Sequence, residues 1–380
     1  MSSTEGSSIV TNGLKAHFDA SNIKSFSGIG TNRIGSMIAL FNSWNSLVGT
    51  STTYSGKNGK TGIYLNITST GASGGVNWWY DSIGRTTCLP STQYTITALV
   101  RYSGNTPSAN LLYVRQYNSS LAQTSENGKY NSANQIYAGD GFYLTWATFT
   151  TDATATSFYI HGYDYSIIQV SLEDVQCKLG GFSDISKNLN DVSLIGTTYS
   201  NVNGGAIVLN GTTDYCPGTV NCGITSDVTL SAFVKPTYNS GPHKTIICTD
   251  AGYPYGAKLM SYKNNARYGI WLGFGSTNYE AFSPLDVNDN TNKMISATWV
   301  QSTGVVNLYI NGNLQYTLST GQTSAVALND GKIILGAEYY SIGSGGGFQG
   351  NIYNGSVYNR ALSAEEIKQN FNAMRSRYGL

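Results

Sequence analysis

The sequence predicts an all-β protein made of two antiparallel β-sandwiches, with a single short helix at its C-terminus. Three observations predict it. Apolar and polar residues alternate with a period of two through most of the chain, as they do in strands with one buried face. Clusters of Gly, Asn, Asp and Pro interrupt these runs at roughly ten-residue spacing, the rhythm of a sandwich. The composition also disfavours helices. The chain has 44 Gly and 28 Tyr but only 11% charged residues, where about a quarter is usual, and Gly, Asn, Ser and Thr weaken helix interiors. A length of 380 residues with 40% apolar content leaves room for two cores.

The first element is "GLKAHF" (13–18), where Leu14, Ala16 and Phe18 alternate with Lys15 and His17 before Asp19, Ser21 and Asn22 end the pattern. Residues 33–60 are loop-rich. "GIYLNIT" (62–68), "QYTITALVRY" (93–102), "NLLYVRQY" (110–117), "YLTWATFTT" (143–151), "SFYIHGY" (157–163) and "IIQVSLEDVQ" (167–176) read as strands. In the second of these, Tyr94, Ile96, Ala98 and Val100 share a face. Gly180-Gly181 marks a joint. Beyond it follow "DVSLIGTTY", "AIVLNGTTDY", "DVTLSAFVKP", "KTIICTD", "RYGIWLGF", "KMISATWV", "VVNLYINGNLQYTL", "KIILGAEYY" and "NIYNGSVYN". Asn311-Gly312 accepts the positive φ angles of a two-residue hairpin turn. "SAEE" (363–366) is a capping box, with Ser363 as the cap and Glu366 reaching back. Ile367, Phe371, Met374 and Tyr378 then fall on one stripe, expected to pack against the rim of the sandwich. Lys368, Arg375 and Arg377 lie toward the end of the helix that favours cations.

Several function classes find no support. A net charge of +1 argues against a nucleic-acid surface or a basic membrane patch. No apolar run is long enough to span a bilayer, and the start lacks the charged and apolar regions of a signal peptide. The 5 Cys form no CxxC; Cys216 and Cys222 are near enough in sequence for a bridge to be considered. No strand carries the two alternate carboxylates that one wall of a glycosidase cleft would need. Glu173 and Asp174 are adjacent, and Glu365 and Glu366 are explained by the helix start. "GASGG" (71–75) precedes no helix and makes no nucleophile elbow. "GGGFQG" (345–350) precedes a strand, where a phosphate cradle needs a helix. His17, His161 and His243 have no partner at metal spacing. No catalytic residue and no cofactor is expected. "DVNDN" (286–290) opens like a calcium loop but lacks the later glycine and glutamate. Asp286 and Asp289 with carbonyls remain as calcium candidates beside the plain reading of turn residues.

The positive signal is aromatic. Trp78, Trp79 and Tyr80 follow a glycine-rich loop, while Tyr253, Tyr255, Tyr279, Tyr339 and Tyr340 lie in or beside loops. Flat rings of this kind stack on sugars, serve protein interfaces equally well, or fill a core.

The C-terminal stretch "GNIYNGSVYNRALSAEEIKQNFNAMRSRYG" (350–379) resembles the last strand and helix of laminin-G-like, concanavalin A-like jelly rolls found in bacteriophage virion proteins. "VVNLYINGNLQ" and "GGAIVLNGTTDYC" (204–216) are similar to further strands of that family. "GLKAHFDASNIKSFSGIGT" (13–31) looks like its opening segment, and "FSDISKNLNDVSLIG" (182–196) like the continuation. The resemblance therefore implies that residues 1–31 and 181–380 form one sandwich. Residues 32–180 would then be an inserted domain, whose text is similar to carbohydrate-binding-module-like jelly rolls. Where the family often has an acidic pair, this chain has Asn354-Gly355. The implied function is that of a non-enzymatic structural protein on the particle surface, as a fibre, decoration or tail-associated subunit. It would be assembled in the host cytoplasm as a homo-oligomer among other virion proteins, with host-surface glycans as a further partner. A stand-alone carbohydrate-binding lectin is the alternative, and a glucanase-type hydrolase is disfavoured.

Overall fold

The computed structural model describes residues 8–20, 22, 46–48, 52–55, 61–64, 67–68, 76–79, 85–132, 135–139, 141–164, 167–179, 185–186, 188, 190–200, 203, 205–237, 243–262, 267–283, 290–338 and 347–380. For 46–79 and 161–179 the description is of the backbone. Two compact units divide the chain: Met1–Ser25 with Phe182–Leu380, and Phe26–Gly181. All described strand pairs are antiparallel, as period-two patterning with one buried face favours.

The first unit has an eight-stranded and a six-stranded sheet. At the centre of the larger sheet, Gln349–Tyr358 pairs with Val228–Pro236 on one side. On its other side, its first half takes Ala206–Asn210 and its second half takes Leu14–Asp19. The opening strand of the chain therefore lies beside one of the last. Its three apolar residues do not share one environment. The register shifts between Leu14 and Ala16, so Leu14 packs against the cluster around the C-terminal helix, while Ala16 and Phe18 are fully buried. Phe18 is opposite Gly355. A Cβ at Gly355 would lie 3.1 Å from Ile247 Cδ1 of the smaller sheet, so this face looks into the space between the sheets.

The hairpin turn at Asn311-Gly312 has φ of 52° and 74°, as a type I′ turn requires. The helix Ala364–Met374 carries the capping box in both directions. Its stripe does not sit at the rim. Ile367, Phe371, Met374 and Tyr378 pack with Phe233, Met294, Tyr309, Tyr353 and Tyr358, residues of four neighbouring strands, so the helix covers the outer face of the larger sheet. That face carries enough large apolar residues to need a cover. Arg375 and Arg377 fall in the short 3-10 turn after the helix, and Arg377 Nη1 donates to both oxygens of Asp19, at 2.9 Å to Oδ1 and 2.7 Å to Oδ2.

Three expectations need correcting. "DVSLIGTTY" is not a continuous strand: Val192 and Ile195 make isolated bridges and only Thr198–Ser200 is regular. Within the loop-rich stretch 33–60, Ser46–Val48 and Thr52–Ser55 are strands. Cys216 and Cys222 are free thiols. They stand at either end of the strand Cys216–Asn221, and six residues of extended chain span about 20 Å, far beyond disulfide reach.

The second unit has two larger sheets and, among its described residues, a two-stranded pair of Thr52–Ser55 with Thr61–Tyr64. One orders Gln135–Gly139, Phe142–Thr150, Gln93–Gly104, Ile167–Leu179 and Ile67–Thr68. The other orders Gln123–Gly128, Tyr113–Tyr117, Ser157–Asp164, Val76–Trp79 and Ser46–Val48, with Thr86–Thr87 also on Ser157–Asp164. Tyr94, Ile96, Ala98 and Val100 are fully buried. Tyr94 meets Phe149 and Phe158 at ring separations of 5.6 and 5.3 Å, which ties the two sheets together.

Candidate functional site

The described aromatic residues converge best on the smaller sheet of the first unit. Lys244–Cys248, Ala257–Tyr262, Arg267–Gly273 and Asn278–Phe282 are consecutive neighbours there. Their registers align Cys248, Lys258, Trp271 and Glu280 in one row. Cross-strand partners share a face, and this is the face opposite the one that carries Ile247 toward Gly355. Leu272, next along, pairs with Tyr279, so Tyr279 belongs to the other side and does not join the row.

The loop between the first two of these strands is held by several ties. Asp250 is fully buried, and its Oδ2 accepts from the backbone N–H of Asn329, Asp330 and Gly331 at 2.7, 3.0 and 2.6 Å. Burial pushes its carboxyl up, against the pull of those three donors. Thr249 Oγ1 accepts from Ala257 N at 2.9 Å. Gly256, at φ 75°, leaves only 2.6 Å between a Cβ position and Asp250 Cβ, so a side chain there would collide. Pro254, cis to Tyr253, rests on Gly273, where a Cβ would strike the Pro254 carbonyl.

The loop presents Tyr253, which is 58% exposed. Its hydroxyl donates to Asn278 Oδ1 at 2.9 Å, and its ring lies 5.7 Å from that of the buried Trp271. On the same indole sits the Lys258 ammonium, 3.9 Å from the ring centroid. It donates to Gly252 O at 2.7 Å and to Glu338 Oε1 at 2.5 Å. Glu280 faces His243 at 3.8 Å. Tyr255, in the same loop, is half-buried.

This arrangement offers a fixed, exposed phenol ring bordered by the Asn278 amide. Its ionisable groups are engaged in structure: Lys258 binds Glu338, and burial pushes the Cys248 thiol up to about 12, so it stays protonated. Among the described residues no three His, Cys, Asp or Glu are grouped to hold a metal. Asp286, Asp289, Tyr80, Tyr339 and Tyr340 lie outside the described residues. Trp78 and Trp79 end the strand Val76–Trp79 of the second unit, opposite Leu47 and Ser46. Sequence reasoning found Tyr253 but missed Trp271, Lys258 and Glu338. Trp271 was readable only as a strand residue within "RYGIWLGF", and nothing local links Lys258 to a carboxylate 80 positions away.

Residues 210–368 match the family model described as the concanavalin A-like lectin/glucanases superfamily. The match falls in the part of the chain where the sequence resemblance implied a laminin-G-like, concanavalin A-like jelly roll, and the described residues there form an antiparallel β-sandwich. Among solved structures, domain 4 of AbnA, a GH43 extracellular arabinanase from Geobacillus stearothermophilus, in complex with arabinotriose, is similar at 19% identity. That match covers 50% of this chain and 91% of that chain, with a TM-score of 0.42. The ligand binding domain of Botulinum neurotoxin serotype D, in complex with N-acetylneuraminic acid, is similar at 18% identity over 50% and 47%, with a TM-score of 0.41. The Ruminococcus gnavus IT-sialidase CBM40 is similar at 18% identity over 38% and 82%, with a TM-score of 0.33. No curated protein matches the chain.

Proposed function

We propose that the chain is a non-catalytic, glycan-binding structural protein of a bacteriophage particle. It sits on the particle surface as a fibre, decoration or tail-associated subunit and assembles in the host cytoplasm as a homo-oligomer among other virion proteins. Residues 32–180 form an inserted, carbohydrate-binding-module-like sandwich.

One observation carries the glycan part: an exposed Tyr253 ring, locked by Asn278 and backed by Trp271, on a sandwich of the lectin/glucanase superfamily type. A tyrosine held in one rotamer contributes ring surface to a sugar at little entropic cost. The buried, ion-paired state of Lys258 and the engagement of Glu280 with His243 support binding over hydrolysis. The virion part rests on the resemblance of residues 13–31, 204–216 and 350–379 to phage virion domains.

The test is a glycan array probed with the full chain and with Tyr253→Ala. We expect hits that the variant loses; an array with no hit removes the glycan reading. Mass spectrometry of purified particles checks the other half. Absence of the chain from particles, together with a monomeric state in solution, would favour a stand-alone lectin.

A further inference from the structure

In the second unit, the sheet containing Gln123–Gly128, Tyr113–Tyr117 and Ser157–Asp164 has a charged cluster on its outer side. Phe158, paired with Gln116, packs into the core against Tyr94. Tyr159 and Arg115, the next pair along, therefore face the other way. Tyr117 and Tyr159 stack there with centroids 5.6 Å apart, and the Tyr117 hydroxyl lies 3.2 Å from that of Tyr159. Arg115 donates through Nε to Glu126 Oε2 at 2.6 Å and through Nη1 to the Tyr159 oxygen at 2.8 Å.

Arg85 reaches the same pair of rings. Its guanidinium carbon lies 4.1 Å from the Tyr117 centroid. Unlike Arg115, it has no ion pair or hydrogen bond among the described residues, and its Nε is buried without a partner. Two guanidiniums thus lie against one tyrosine pair, and the one carboxylate, Glu126, is paired with Arg115. A planar fork held against a ring has lost most of its freedom already and offers parallel donors to a carboxylate.

We infer that this face binds the carboxylate of an acidic saccharide, with Arg85 as the fork. The excess of one positive charge suits a monoanion. Glu126, its side chain 36% exposed, repels multiply charged ligands such as phosphates and acidic peptides, yet it accepts from sugar hydroxyls. The site is independent of Tyr253, so either can fail alone.

The test titrates the full chain with D-glucuronate, glucose, acetate and inorganic phosphate, followed by NMR. We expect glucuronate to bind, with glucose, acetate and phosphate each weaker. Arg85→Gln should weaken glucuronate about tenfold or more, the scale of a hydrogen bond to a charged group. Arg85→Lys should weaken it nearly as much, because a point charge lacks the fork. Thermal melts of both variants confirm folding, and Tyr253→Ala should leave glucuronate binding unchanged. The inference is overturned if the wild type does not bind glucuronate, if acetate or phosphate binds as tightly, or if Arg85→Lys binds like the wild type.

Discussion

At the scale of single residues, Lys258 organises the Tyr253 face. Its ammonium joins the Gly252 carbonyl, the Trp271 ring and Glu338, with its own side chain fully buried. Lys258→Met keeps the stem but leaves Glu338 and the Gly252 carbonyl without their donor. We expect a loss of about 2–3 kcal/mol, at or below the lower bound for a fully buried pair because Glu338 is partly exposed, measured by urea unfolding. Gly273→Ala acts on the same loop by a different route. The new Cβ would strike the Pro254 carbonyl, so the loop must lift and Tyr253 must leave Trp271. The expected outcome is loss of glycan binding with a change in tryptophan fluorescence; an unchanged spectrum would refute the account. Tyr253 was legible in the sequence because an aromatic beside Gly and Pro reads locally as a loop residue. Lys258 and Glu338 were not, because what pairs them is sheet register, which no local pattern encodes.

At the scale of elements, the C-terminal helix shows how local signals become stability. Ser363 Oγ accepts from Glu366 N at 3.3 Å, and Glu366 Oε2 accepts from Ser363 N at 3.0 Å. Arg360 forks onto the same carboxylate at 2.6 and 2.7 Å. Arg360 first, then the Ser363 backbone, holds the Glu366 carboxyl below its usual range, outweighing desolvation. A depressed carboxyl stabilises the fold above its unfolded value of about 4.3, and that contribution disappears as pH falls through the lower folded value. Glu366→Gln should therefore lower the melting temperature at pH 7 and flatten its decline between pH 5 and pH 3. A variant whose acid profile parallels the wild type would count against this. Ser363→Ala should cost about 1 kcal/mol. The helix and the Asn311-Gly312 turn were readable because their signals lie within a few residues. The strand Gln123–Gly128 was not: it is a polar sheet edge with no buried residue, so it shows no apolar alternation.

At the scale of the whole molecule, the decisive geometry is where the chain leaves and re-enters the first unit. The strand Leu14–Asp19 ends beside Asn354. On return, Ile185 N donates to His17 O at 2.9 Å and Ser186 Oγ donates to Lys15 O at 3.1 Å. Departure and return thus lie along one strand edge, the condition under which a domain can be inserted without straining its host. That edge could not be read from composition; only the separated halves of a familiar segment hinted at it. Replacing residues 26–181 with a short Gly-Ser linker should leave the first unit folded, with one cooperative transition and an intact near-UV spectrum. Deleting residues 1–25 from that shortened protein removes the buried Ala16 and Phe18 and strips one of its two neighbouring strands from the second half of Gln349–Tyr358. It also takes Asp19 from Arg377 and Val10 from Asn370, so we expect a loss of more than about 3 kcal/mol. If the linker variant fails to fold while a simple truncation beginning at residue 182 folds well, the opening strand is not part of this sandwich's stability, and the insertion reading falls with it.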